Sequence, residues 1–100
     1  MKTITNNGIK YTITATDKNN EHQIERMVRR AVSACANYMN TVNEHVSLVD
    51  QYGALSVEVT EAQYKSEYES TIQCIGLFVE QPTSYIRNYI VCRAREEFGI

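Results

Sequence analysis

Apolar and polar positions change period several times along this chain. Thr3, Ile4 and Thr5, and then Ile9 to Thr14, are rich in β-branched and aromatic residues, with Asn6-Asn7-Gly8 between them. Asn and Gly accept the positive φ of a tight turn, so this spacing predicts an opening β-hairpin. Asp17-Lys18-Asn19-Asn20 then supplies capping side chains, and Gln23 stands three residues past Asn20 in the capping-box position. A helix therefore starts near Glu21. Its apolar stripe runs through Ile24, Val28, Ala31, Cys35, Tyr38 and Val42, widened by Met27, Ala34 and Met39, which is the period of a helix packed along one side.

The pattern weakens after Asn40-Thr41. Either Asn43 caps a second short helix presenting Val46, Val49 and Tyr52, or the first helix continues with a bend, and Gly53 ends whichever forms. Leu55 to Thr60 alternates, which predicts a third strand with Leu55, Val57 and Val59 inward. Thr60 and Gln63 form another capping box, opening a helix that buries Tyr64, Tyr68, Ile72, Ile75 and Val79 before Pro82. Its second half, Thr71 to Val79, is rich in strand formers and contains Gly76. A last helix, capped by Thr83 or Ser84, runs to Phe98 with Gly99 as its stop; a strand from Tyr85 to Arg95 is the alternative. Helix is favoured because Arg93 and Glu97 then pair one turn apart. The resulting order is ββα(α)βαα: an α+β fold in which a hairpin and one further strand form a small antiparallel sheet against two or three long helices.

Composition narrows the class. One hundred residues, 43% apolar and 22% charged, support one core, so residues 1–100 read as a single compact domain. The N-terminus turns polar before an apolar signal core forms, and the longest apolar run, Ile75 to Val79, is far below the roughly 20 residues of a membrane span. Cys35, Cys74 and Cys92 are odd in number and form no Cys-x-x-Cys pair, which suits core thiols in a reducing, cytoplasmic setting. The net charge of −2 conceals a pattern. Residues 1–30 carry six cations against three anions, residues 31–86 one cation against seven anions, and the tail from Arg87 three cations against two anions. The middle is acidic and both ends are basic.

Motifs for catalysis or cofactor binding are absent from the sequence. His22 and His45 stand 23 residues apart with no ligand-type residue at metal spacing, and read as exposed or half-buried. Cys92, beside Arg93, has the better setting for a reactive thiol than Cys35, which lies on the apolar stripe; packing is the simpler reading of both. No phosphate loop, nucleophile elbow or paired-carboxylate signature occurs, and no cofactor is expected.

Recognition features are present instead. Arg26, Arg29 and Arg30 share one helical face, suited to phosphate, a nucleotide or an acidic surface, or simply to ion pairs with Glu21 and Glu25. Glu58, Glu61, Glu67 and Glu69 interleave with Tyr64 and Tyr68, a combination suited to a protein-binding surface because tyrosine offers large amphipathic area at low entropic cost. The alternative is that both tyrosines are core and the glutamates only solvate the helix. Small residues at Ala31, Ser33, Ala34, Cys35 and Ala36 admit close approach of another helix, from this chain or from a second copy in a homodimer.

In size, acidic middle, Asn and Tyr content and lack of catalytic residues, the chain resembles the small single-domain inhibitors and host-takeover proteins of phages and mobile elements. The resemblance is one of general character and carries over no residue. It implies a cytoplasmic, non-catalytic protein-interaction module that binds a host or cognate protein stoichiometrically and inhibits or modulates its complex. A binder of nucleotide or nucleic acid through the arginines is the alternative, weakened by the acidic net charge, and a structural assembly subunit is another.

Overall fold

The computed structural model describes residues 1–100 and has an α+β fold of one two-stranded antiparallel sheet and four helices. Strands β1 (Ile4–Asn6) and β2 (Ile9–Tyr11) pair with Ile4 opposite Tyr11 and Asn6 opposite Ile9. Asn7 and Gly8 join them with φ of 52° and 78°, the positive values that a twisted two-residue hairpin requires. Asp17 accepts a hydrogen bond from the Asn19 backbone N–H, capping a single 3-10 turn, Lys18–Asn20, that leads into α1 (Glu21–Asn43). Asn20, the expected cap, makes no side-chain capping bond.

After α1 come α2 (His45–Tyr52), α3 (Ala54–Gly76) and α4 (Thr83–Phe98). The chain breaks at Glu44 into a second helix rather than bending through it. Gly53 turns α2 into α3 with φ 87° and ψ 153°, a region that only glycine enters without strain. Gly99 ends α4 in the left-handed conformation, its N–H donating to the Arg95 carbonyl.

The third strand is not formed. Leu55 to Thr60 is the opening of α3. The hairpin packs on α4 and touches neither α2 nor α3, so a strand there would have no edge to pair with. The same residues also satisfy a helical period: Leu55, Val59 and Ala62 fall on one face, and Val57, Tyr64 and Tyr68 on the opposite one. Helix propagation from Ala54 into the patterned second half of α3 then wins through cooperativity. Thr60 is consequently no cap, and its hydroxyl donates to the Ser56 carbonyl inside the helix.

Val79 also lies outside the helix expected to bury it. It pairs with Ala15 in an isolated bridge, flanked by Thr16 N–H to Phe78 O at 3.0 Å and Glu80 N–H to Thr14 O at 2.9 Å. The strand formers of residues 77–80 thus find a partner next to the hairpin. Pro82, expected to close that helix, instead immediately precedes α4, where its missing N–H costs no helical bond.

Eighteen buried residues form one core at the end of the molecule that holds the hairpin and α4. Ile24, Val28, Ala31 and Cys35 of α1 meet Ile72 and Ile75 of α3 and Ile86, Tyr89 and Ile90 of α4. The small residues of α1 are used internally: Ala31, Ala34, Cys35 and Ala36 are buried within the chain, and Ser33 is exposed. Cys74 departs from the core-thiol expectation. It is exposed, because Ile72 and Ile75 take the inward positions and leave it on the outer face of α3.

Candidate functional site

On α1 the buried stripe fades beyond Ala36, and on α3 nothing N-terminal to Tyr68 is buried except Val57. The last turns of α1, all of α2 and the first half of α3 therefore project as an arm, in a molecule measuring 47 × 27 × 19 Å. In this arm only Thr41 and Val57 are buried, and α2 has no buried residue. Val46, Tyr52 and Leu55 are 76%, 66% and 75% exposed, and Val59 is 47% exposed. Of the α2 stripe, Val46 and Tyr52 are open to solvent and only Val49 is half-buried.

Three helices of the arm enclose a groove of about 430 Å³. Leu48 and Tyr52 of α2, with Val57 and Tyr64 of α3, give it an apolar lining. Asn37, Asn40, Thr41 and Glu44 of α1 form one wall, and Ser56 and Thr60 complete the other. Thr41 and Thr60 spend their hydroxyls on the carbonyls of Asn37 and Ser56, one turn back on their own helices. His45 Nδ1 lies 2.5 Å from Glu61 Oε1 and ties the start of α2 to α3.

The candidate residues divide between arm and core. Glu58 is exposed with no ion pair, Glu61 holds His45, and Tyr64 lines the groove. Glu67 is exposed and lies 3.4 Å from Arg30. Tyr68 belongs to the core: it is 8% exposed, its ring packs tilted against Tyr38 with centroids 5.8 Å apart, and burial pushes its hydroxyl pKa up. Glu69 is held by two hydrogen bonds from Arg87, at 3.0 and 2.6 Å, which keep its carboxyl below the usual carboxylate range. Arg26, Arg29 and Arg30 all lie on the exposed side of α1. Arg26 is unpaired, Arg29 is 4.0 Å from Glu25, and Arg30 reaches Glu67.

Arg93 does not join that arginine face. Its side chain is 6% exposed and donates to Glu25 at 2.6 Å, to Glu97 at 2.8 Å and to Tyr89 Oη at 3.3 Å. Burial alone would lower its pKa, but the two carboxylates outweigh that and raise it. This is a structural ion cluster, and the Tyr89 hydroxyl completes it by donating to the Lys2 carbonyl at 2.6 Å. Burial pushes the Cys35 thiol up to about 11, a packing role rather than a nucleophilic one. Cys92 is half-buried, and no three His, Cys, Asp or Glu side chains converge as metal ligands.

Sequence reasoning missed the groove itself. Asn37, Asn40, Leu48 and Tyr52 carry no motif and meet only because Gly53 folds α2 against α3. Their one signal was the weakening of the helical pattern after Asn40. In comparisons with known proteins, no family model, no curated protein and no solved structure matches this chain. No helix is long and apolar enough to cross a membrane.

Proposed function

We propose that this protein is a non-catalytic interaction module that binds a partner protein stoichiometrically through its helical arm. One observation carries this reading: the arm lines an open groove with Leu48, Tyr52, Val57 and Tyr64 and exposes Val46, Leu55 and Val59 on its other faces, while the core lies at the other end, where Ile9, Leu77, Phe78 and Phe98 are the large apolar groups left exposed. Large apolar side chains clustered in this way are what protein-binding surfaces offer, and they add nothing to the stability of the isolated fold. Inhibition or modulation of a host protein complex, in the manner of small phage and mobile-element proteins, is the mode of action we attach to it.

Affinity capture followed by cross-linking mass spectrometry tests the reading. A single dominant partner, in equimolar complex and lost on Leu55→Gln with Val59→Gln, is the expected result. Absence of any stoichiometric complex, or capture unaffected by those changes, would count against it. The competing arginine-dependent reading requires loss on Arg26→Glu with Arg29→Glu instead. Glu67 and Glu69 are poor probes, because reversing either breaks an internal pair with Arg30 or Arg87.

A further inference from the structure

Resting on that reading, we infer that the groove of the arm receives a basic amphipathic helix of the partner, seating apolar side chains on Leu48, Val57 and Tyr64. Charge argues for a cationic occupant. Glu44 is the only charged residue lining the groove. Across residues 37–67 five carboxylates face a single cation, Lys65, for a net −4. Glu44, Asp50 and Glu58 have no ion-pair partner; Glu61 has only His45, and Glu67 only the exposed Arg30. A second copy docking arm to arm would set −4 against −4 and is disfavoured for that reason.

Shape argues for a side-chain-bearing occupant. The open groove of about 430 Å³ suits a few large side chains seated on Leu48, Tyr52, Val57 and Tyr64. Leu55 and Val59 lie on the opposite face of α3 and are not part of it.

The fold contains an internal precedent for a helix. At the core end, the α1 and α3 pair is completed by α4, which buries Ile86, Tyr89 and Ile90 and sets Arg93 on Glu25 and Arg87 on Glu69, both at 2.6 Å. In the arm the same two helices are met by α2, whose Leu48 and Tyr52 leave an open apolar groove beside Val57 and Tyr64, and the carboxylates of Glu44, Asp50 and Glu58 are unmatched. An arginine- or lysine-bearing helix supplies what is missing. The side-chain amides of Asn37 and Asn40 are exposed and make no internal hydrogen bond, so both are free to bond its polar edge.

The test uses the full chain and a synthetic peptide of roughly 18 residues, five helical turns, with leucine on one face and lysine on the other. Two controls replace its lysines with glutamate, or place proline at its centre. Amide chemical-shift perturbation should map to Thr41, Leu48, Val57 and Tyr64. Glu44→Lys with Glu58→Lys should weaken the lysine peptide about tenfold, at unchanged melting temperature, and more so at low salt. Equal binding of the glutamate peptide overturns the charge argument, and equal binding of the proline peptide overturns the helix. Shifts outside the arm, or a sedimentation mass of twice 11.5 kDa abolished by Leu48→Gln, overturn the site and the partner in turn. Should a partner be captured through the Arg26 and Arg29 face with the arm variants unaffected, this inference and the arm reading both fail. Loss of partner capture on Leu55→Gln with Val59→Gln, but not on Leu48→Gln, leaves the arm reading standing without the groove.

Discussion

Removing one side of the Arg93 cluster should cost far more than removing the arginine itself. In Glu25→Ala the guanidinium, 6% exposed, keeps Glu97 on its Nε but loses the carboxylate on its Nη1. Breaking a fully buried pair from one side costs about 3–5 kcal/mol. With Glu97 still in place and Glu25 itself 20% exposed, the expected loss is about 2–3 kcal/mol. For a domain of this length that lowers Tm by roughly 8–24 °C. Arg93→Met removes the buried charge and retains apolar volume. The carboxylates left behind are 20% and 31% exposed and can hydrate, and Tyr89 keeps its bond to Lys2. Its cost should stay within about 1 kcal/mol. Urea unfolding at neutral pH measures both, and the double variant should resemble Arg93→Met alone. If Arg93→Met is as damaging as Glu25→Ala, the cluster is a net source of stability and the desolvation argument is wrong.

Other expectations follow from the same geometry. Glu69 has a folded pKa below its unfolded value of about 4.3, so its contribution is full above that value and is lost as pH falls through the folded pKa. Acid should therefore destabilise the wild type more steeply than Arg87→Gln; equal slopes between pH 5 and 2 would remove Glu69 from the account. A thiol reagent at pH 8 should label exposed Cys74 quickly and buried Cys35, its pKa near 11, only on unfolding. Mass mapping that finds both labelled at one rate contradicts the burial. Ile72→Ala, at a fully buried position, should cost about 3 kcal/mol. Leu55→Gln and Val46→Gln should each stay within about 0.5 kcal/mol by urea titration, and a large loss at either would mean that the arm is packed.

The hairpin, α1, α4 and their stops were legible because each is written locally. Asn7-Gly8 supplies the turn, the Ile24 to Cys35 stripe supplies the buried face, and Arg93 and Glu97 pair within one helix. Leu55 to Thr60 was misread because six residues of alternation fit a strand and a helix face equally well. Only the absence of a neighbouring edge decides between them, and that is a tertiary fact. Tyr64 and Tyr68 show the same limit at the site. Spaced one turn apart, they were read together, yet Tyr38 and the core cover Tyr68 while Tyr64 stays at the groove. Tyr52 is placed on the second short helix with Val46 and Val49, but nothing local shows that it lines a groove with residues of α1 and α3.

This division between the two ends bears on how the protein works. At the core end Glu25, Glu69, Glu96 and Glu97 each meet a cation, Asp17, Glu21 and Glu80 do not, and eighteen buried residues form the core, with Ile9, Leu77, Phe78 and Phe98 left exposed around it. In the arm the carboxylates of Glu44, Asp50 and Glu58 meet none, and the apolar groups face water. Exposed unpaired charge and exposed valine or leucine contribute almost nothing to folding, so the arm is free to vary without unfolding the domain. On the reading proposed above, its contribution comes on contact with a partner: burial of Leu48, Tyr52, Val57 and Tyr64 against apolar groups, and pairing of carboxylates that nothing in the chain neutralises. A partner that supplies both at once gains affinity from the first and orientation from the second. Charge reversal at Glu44 and Glu58 should therefore slow association and reduce its salt dependence, whereas Leu48→Gln should speed dissociation. The two effects are separable by stopped-flow kinetics on one complex.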